Sequence, residues 1–318
     1  MNKIGFFQSD AASQLESLKG VPEPEMNTLR TALMALYPGS SLEIEPNFSG
    51  TLSSFLVLQT GARRIVVKSH LDDPTSLRDA IKGAILFENL YSHNIECGFL
   101  WLKDVGIGGK LYHLLEFLDE HPPLHPLELR KQISHYFSEQ IDFNVLNSSF
   151  PPDALKSVHQ NYRFYFDTLI EFEVFNYLDR LLHGGAISAD THSQACLRIQ
   201  TNIPFLQSLP RGLCHGDLSN KNILSKHSQA VIIDWEDAFM APWTYDMAFW
   251  ASFFDNKKHL EVCDTWLEPG EQKSFWLLYL IAVIKKSFLR YLRGDHLRDE
   301  ISIDDRISFP ANHPAAGN

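Results

Sequence analysis

Six residues separate two clusters that together limit what this chain can become. The first is His215-Gly216-Asp217-Leu218-Ser219-Asn220-Lys221-Asn222, which leaves through apolar Ile223-Leu224. The second closes the run Val231-Ile232-Ile233 with Asp234-Trp235-Glu236. Three β-branched residues before Asp234 predict a short buried strand with the aspartate at its end. A hairpin built on the two segments brings Asp217, Asn222 and Asp234 around one ligand. Two carboxylates and a carboxamide at these spacings suit phosphoryl transfer from a metal-bound nucleotide.

The chemistry explains the residue types. Phosphoryl transfer needs an oriented acceptor hydroxyl and neutralised phosphate charge, and little covalent help. A carboxylate such as Asp217 accepts the acceptor's proton. Mg²⁺ prefers hard oxygen ligands and usually takes only one or two from protein; Asn222 and Asp234 are suited to that.

The pattern His-x-Asp-x-x-x-x-Asn followed by Ile-Asp-x-x resembles the catalytic and metal-binding segments of the protein-kinase-like superfamily. Its departures narrow the resemblance. Gly216 stands where most protein kinases carry Arg, Ser219 where they usually carry Lys, and Trp235-Glu236 where they carry Phe-Gly. This version is similar to the aminoglycoside phosphotransferase and choline kinase branch, whose members phosphorylate small molecules. The resemblance spans roughly residues 40–295 and implies an α+β, two-lobed protein-kinase-like fold. An N-terminal antiparallel sheet plus helix precedes a larger, mainly helical C-terminal lobe, with ATP in the cleft. The expected divisions are an N-lobe at 1–115, a hinge at 116–126, a C-lobe at 127–300 and a loose tail at 301–318.

Site residues follow from the same resemblance. Asp217 would orient or deprotonate the acceptor hydroxyl, and His215 would brace the catalytic loop. Asn222 and Asp234 would hold Mg²⁺. Lys68 ends the apolar strand Arg64-Ile65-Val66-Val67-Lys68, where a buried ammonium needs an anionic partner; a surface lysine after a strand would look the same. The resemblance implies that Lys68 contacts the α- and β-phosphates and pairs with a helix carboxylate. Glu88 is the expected partner, with Asp79 the other candidate, although family registers place the acid about one turn earlier, near Gly83. The small-residue turn through Ser49, Gly50 and Thr51 falls where such folds cover the phosphates with backbone N–H groups; a plain hairpin turn has the same composition. Backbone groups of Glu116, Phe117 and Leu118 would meet the adenine edge.

The rest of the chain supplies context. Residues 1–40 read as a helical lead-in, 41–69 as three antiparallel strands, 76–93 as a helix and 111–119 as a buried strand. Beyond the hinge the pattern turns helical, through 127–137 and 162–182 to about Arg293. Pro242-Trp243-Thr244-Tyr245-Asp246-Met247-Ala248 resembles the family's segment in which an Asp caps the next helix and stabilises the loop, so Asp246 reads as structural. His113, His121 and His125 follow no metal-ligand spacing. Cys97, Cys196, Cys214 and Cys263 are scattered with no Cys-x-x-Cys, which argues against a zinc ribbon or a disulfide framework and fits a reducing compartment.

A net charge of −11 disfavours a nucleic-acid binder. The acidity is dispersed, 19 acidic against 13 basic side chains in 1–159 and 20 against 15 in 160–318, so it marks no site. The apolar run Phe275 to Ile284 is half the length that spans a bilayer, and the first residues show no signal peptide. The expected protein is cytoplasmic, a monomer or homodimer, free of membrane and nucleic acid.

Only eleven residues separate Asp234 from Asp246. A protein kinase needs a longer segment there to dock a peptide, so a small hydroxylated acceptor is expected. Glu171, Glu173, Glu236, Asp237 and Asp255 could serve a cationic acceptor; Trp243, Tyr245, Trp250, Phe253 and Phe254 could face a quaternary ammonium. An atypical protein kinase and a nucleotide-binding regulatory pseudokinase are the alternatives.

Overall fold

The computed structural model describes residues 23–43, 54–61, 63–69, 74–91, 94–102, 110–118, 152–226, 229–252, 267 and 270–314. The chain divides into two compact units that interleave in sequence. Residues 1–122, 140–159 and 224–236 form the first; 123–139, 160–223 and 237–318 form the second. The linear division expected from sequence did not anticipate that interleaving.

The first unit is built on helix α1 (Glu23–Leu36), strands β1 (Ser41–Glu43), β2 (Ser54–Thr60) and β3 (Arg63–Ser69), helix α2 (Pro74–Tyr91), and strands β4 (Cys97–Leu102) and β5 (Lys110–Glu116). The five strands make one antiparallel sheet in the order β1-β2-β3-β5-β4. Strand alternation sorts its side chains. Leu56, Leu58, Ile65, Val67, Tyr112 and Leu114 form one buried face, packed with Leu29 and Leu33, four apart on α1. Lys68, next to Val67, therefore belongs to the opposite face. It lies directly across from His113, whose ring meets Phe87 of α2 edge-on at 5.7 Å. This is the side of the sheet that α2 covers, and Lys68 is buried there.

The hairpin of β7 (Ile223–Lys226) and β8 (Gln229–Ile232) joins this unit from residue 224 onward. Lys226 Nζ donates to Glu116 at 2.6 Å and to the Asn94 carbonyl at 2.9 Å. The Tyr91 hydroxyl accepts the Ile232 N–H at 3.0 Å. These bonds explain why a segment distant in sequence belongs with the sheet.

Helix α3 (Pro152–Thr168), which belongs to the second unit from residue 160 onward, runs through a π-helical turn, Leu169–Glu173, into α4 (Val174–His183). Then come α5 (Ala189–Ser208), β6 (Gly212–Cys214), a 3₁₀ turn at Asn220–Asn222, β9 (Phe239–Ala241), α6 (Thr244–Ala251), α7 (Gln272–Arg293) and α8 (Ile303–Ala311). β6 and β9 pair antiparallel. Helix α7 is buried continuously from Ser274 to Lys285, the mark of a helix running through a core. Gly294, at φ +74°, ends it in the left-handed conformation that glycine adopts without strain.

Within the tail expected to be loose, 301–318, the described residues include a helix, α8 (Ile303–Ala311). Ser302 caps it by accepting the Asp305 N–H at 3.0 Å, and Ile303, Ile307 and Ala311 bury one face. The Asp- and Pro-rich composition concealed a short helix whose apolar residues recur every four. The helix expected at 127–137 lies outside the described residues. No described helix is long and apolar enough to cross a membrane.

Candidate active site

The loop after β6 is fixed from below. Asp246, buried in the first turn of α6, accepts the His215 N–H at 2.6 Å and the Gly216 N–H at 3.0 Å. It does not cap its own helix, as the sequence suggested; Trp243 holds that position, without a side-chain cap. Burial pushes the Asp246 carboxyl up, and His215 with the two N–H bonds works against that.

Gly216 is required twice over. Its φ is +81°, and a Cβ there would stand 2.1 Å from the Asp237 carbonyl oxygen. No side chain fits, which is the physical reason for glycine where protein kinases have arginine. The Asp217 N–H donates to His215 Nδ1 at 3.3 Å, so that nitrogen is an acceptor and the buried ring braces the loop from within.

Asp217 and Asn222 meet on this loop. Asn222 Nδ2 donates to the Asp217 carbonyl at 2.9 Å and lies 3.4 Å from its Oδ2. The backbone closes the same turn through Asn222 N–H to the Ser219 carbonyl at 2.9 Å. With its amide nitrogen so directed, Asn222 has its Oδ1 as the hard donor. Burial and then Asp237 hold Asp217 above the usual aspartate range, partly offset by His215, Lys285 and Lys286. A carboxylate whose affinity for protons is raised is better able to take up a proton than an ordinary surface aspartate. Cys214, just before the loop, is pushed well above the ordinary thiol value by burial and is inert.

Lys68, Asp234 and Glu236 belong to the first unit. Asp234 follows β8 with φ +70°, the one left-handed non-glycine among the described residues. Such strain persists where the surroundings enforce it. Its Oδ1 receives Lys68 Nζ at 2.6 Å, and Glu236 Oε1 receives the same ammonium. Burial alone would lower Lys68, but Asp234 and Glu236 outweigh it and the pKa is raised. The half-exposed Asp234 already holds a cation, and Asn222 offers a carboxamide oxygen; both are donor types that suit Mg²⁺. No group of three or more His, Cys, Asp or Glu assembles among the described residues.

Several expectations are corrected. Glu88 is not the carboxylate on Lys68: it stands partly exposed on α2, five residues and about 140° around the helix from Gly83. Asp79 is engaged by Arg78 at 3.2 Å and Lys82 at 3.3 Å. Glu236, considered for the acceptor, is on Lys68 instead. Glu173 accepts from Tyr165 at 2.9 Å and Tyr177 at 2.7 Å, and Glu171 from Gln207 at 2.5 Å. Tyr245 and Trp250 are core residues. Ser49, Gly50 and Thr51 lie outside the described residues, as do His121, His125, Phe253, Phe254, Asp255 and Cys263.

At the end of β5, Glu116 N–H donates to the Glu96 carbonyl at 2.8 Å and Phe117 N–H to Arg64 at 2.9 Å. An adenine contact here would fall to the Leu118 N–H and to carbonyl oxygens. The Glu116 side chain is structural: burial would raise it, but Lys226, the Glu96 N–H and Arg63 hold it below the usual range.

The model of the phosphotransferase enzyme family matches residues 43–268, more than half of the chain. The chain belongs to the phosphotransferase enzyme family. The chain also resembles solved structures at low identity. Aminoglycoside 2'-phosphotransferase-IIIa in its GDP complex is 15% identical, with 89% of this chain and 95% of that chain covered and a TM-score of 0.55. A thermostable mutant of aminoglycoside phosphotransferase APH(4)-Ia, in ternary complex with AMP-PNP and hygromycin B, gives 11%, 88%, 94% and 0.55. An ethanolamine kinase of Plasmodium vivax gives 15%, 98%, 96% and 0.51. These likenesses show the two-lobed, protein-kinase-like fold: an N-terminal antiparallel sheet with its helix, then a larger helical lobe. No curated protein sequence matches the phosphotransferase.

Sequence reasoning placed the family's acid near Gly83 but missed that this glycine makes room for Glu236. The available signal was an isolated glycine inside an apolar helical pattern, which usually has a packing reason.

Proposed function

We propose that the chain is an ATP-dependent kinase that transfers the γ-phosphoryl group to a hydroxyl of a small acceptor, an aminoglycoside-like molecule, an amino-alcohol or a sugar. One observation carries the choice of a small acceptor. Of the eleven residues between Asp234 and Asp246, eight lie in a 3₁₀ turn, Trp235–Asp237, in the start of α6, Thr244 and Tyr245, and in β9, which pairs with β6 through Gly212–Ala241, Leu213–Met240 and Cys214–Phe239. That leaves no free segment to dock a peptide.

In this reading Asp217 takes up the acceptor's proton, and Asp246 with His215 keeps the loop in place. Lys68 binds the donor's phosphates. Asn222 and Asp234 would hold Mg²⁺, which supplies charge neutralisation on the phosphates when bound. A regulatory pseudokinase has no chemical need for Lys68, Asp217, Asn222 and Asp234 together, so an active enzyme is favoured.

The test is a screen of hydroxylated metabolites and aminoglycosides for acceptor-stimulated ADP release with Mg·ATP. At least one small acceptor is expected to stimulate release. Silence across the panel, with label from γ-phosphate appearing on a protein substrate, would replace this reading with that of an atypical protein kinase.

A further inference from the structure

The helix beside Lys68 contributes a gap where a carboxylate was expected. Gly83 is buried in the middle of α2, a position where glycine is otherwise a poor choice because it weakens a helix. A Cβ at Gly83 would lie 3.1 Å from Glu236 Cγ, 3.1 Å from the Glu236 backbone nitrogen and 3.3 Å from the Trp235 carbonyl carbon. The space a side chain would take is filled by the Trp235-Glu236 segment. That segment is anchored: Trp235 is buried and its Nε1 donates to the Ile232 carbonyl at 2.7 Å. From this seat Glu236 reaches the Lys68 ammonium.

We propose that Glu236, seated against Gly83, is the fixed anionic partner that positions Lys68 for the nucleotide phosphates. This rests on the phosphotransferase reading, because it takes Lys68 as a phosphate contact. A buried ammonium cannot be left without an anion. Asp234 also holds Lys68, yet Asp234 is the residue expected to turn to a metal. A second carboxylate, fixed by backbone packing and not by a flexible stem, retains the lysine when the first is engaged elsewhere. Helix α2 then acts on Lys68 through shape, by making room for Glu236, and not through charge. Glu236 and Gly83 are positioning residues; neither needs to touch the reacting atoms.

The test is a double-mutant cycle read by calorimetric affinity of the full chain for Mg²⁺ with a non-hydrolysable ATP analogue. Gly83→Val, which forces the Glu236 segment away, and Glu236→Gln are each expected to weaken binding about tenfold. The double variant should be no weaker than Glu236→Gln alone, because Gly83 acts only through Glu236. Glu236→Asp should recover part of the loss. Where Gly83→Val does not fold, Gly83→Ala enters the same cycle, since its Cβ asks for a shift of only a few tenths of an ångström. Additive losses, or full affinity in Glu236→Gln while Lys68→Ala loses it, would overturn the inference and leave the kinase reading intact. No nucleotide affinity in the unmodified chain would sink both.

Discussion

Asp246 accepts the backbone N–H of His215 at 2.6 Å across 31 residues of chain. The same carboxylate takes the Gly216 N–H, so one buried side chain satisfies two consecutive donors of the candidate catalytic loop. Asp246→Ala would strand both. We expect a loss of about 2–4 kcal/mol in unfolding free energy, measured by urea denaturation. Asp246→Asn, which keeps one acceptor, should lose less. A stability within error of the unmodified chain in Asp246→Ala would show that the loop does not depend on this carboxylate.

Gly216→Ala meets two penalties, a left-handed backbone and a contact of 2.1 Å with the Asp237 carbonyl oxygen. Left-handed strain alone costs about 1–3 kcal/mol, and the clash must also displace backbone. The variant should unfold at markedly lower denaturant and transfer phosphate at least about tenfold more slowly. Wild-type kinetics in Gly216→Ala would mean that the loop has a second conformation.

Asp217 gives a pH-dependent expectation. Burial, then Asp237, holds its pKa above the ordinary 3.8. A carboxyl that binds its proton more tightly when folded costs stability when ionised. The cost is complete above the folded pKa and vanishes below the unfolded one. In chelator-treated samples Asp217→Asn should therefore have a higher Tm at pH 7, with the difference shrinking as the pH falls toward about 4. The acid limb of kcat should likewise lie above the ordinary aspartate value. A lower Tm for Asp217→Asn at neutral pH would show that the ionised carboxylate is stabilised by its surroundings.

Much of this site was legible before the fold. The His215–Asn222 and Ile233–Glu236 segments pointed to the candidate residues by type, spacing and family resemblance, and the Asp217–Asn222 contact lies within one short loop. The Asp246 contact was only half legible: the motif pointed to the loop, but its carboxylate reaches back 31 residues, past its own helix. The Lys68 partner was misread for a similar reason. Helix periodicity located α2 and found its acids, but a carboxylate arriving from 168 residues away cannot be read from that helix. Only Gly83, as a hole, marked its arrival. The tail failed through composition: Asp and Pro suggested looseness, while Ile303, Ile307 and Ala311 were already at helical spacing.

Asp234→Ala should abolish Mg²⁺-dependent tightening of nucleotide binding and leave a weaker, metal-independent affinity, by calorimetry with and without Mg²⁺. Unchanged dependence on Mg²⁺ would remove Asp234 from the metal set.

Transfer to a small hydroxyl, with Asp217 as base, is the reaction proposed for this site. The direct measurement follows phosphorus by ³¹P NMR with Mg·ATP and the best acceptor, comparing the unmodified chain with Asp217→Asn. A new phosphomonoester on the acceptor is expected from the first. In the variant its rate should fall about 10²–10⁴-fold at unchanged nucleotide affinity. Equal rates from both proteins, or phosphate released only to water, would contradict it.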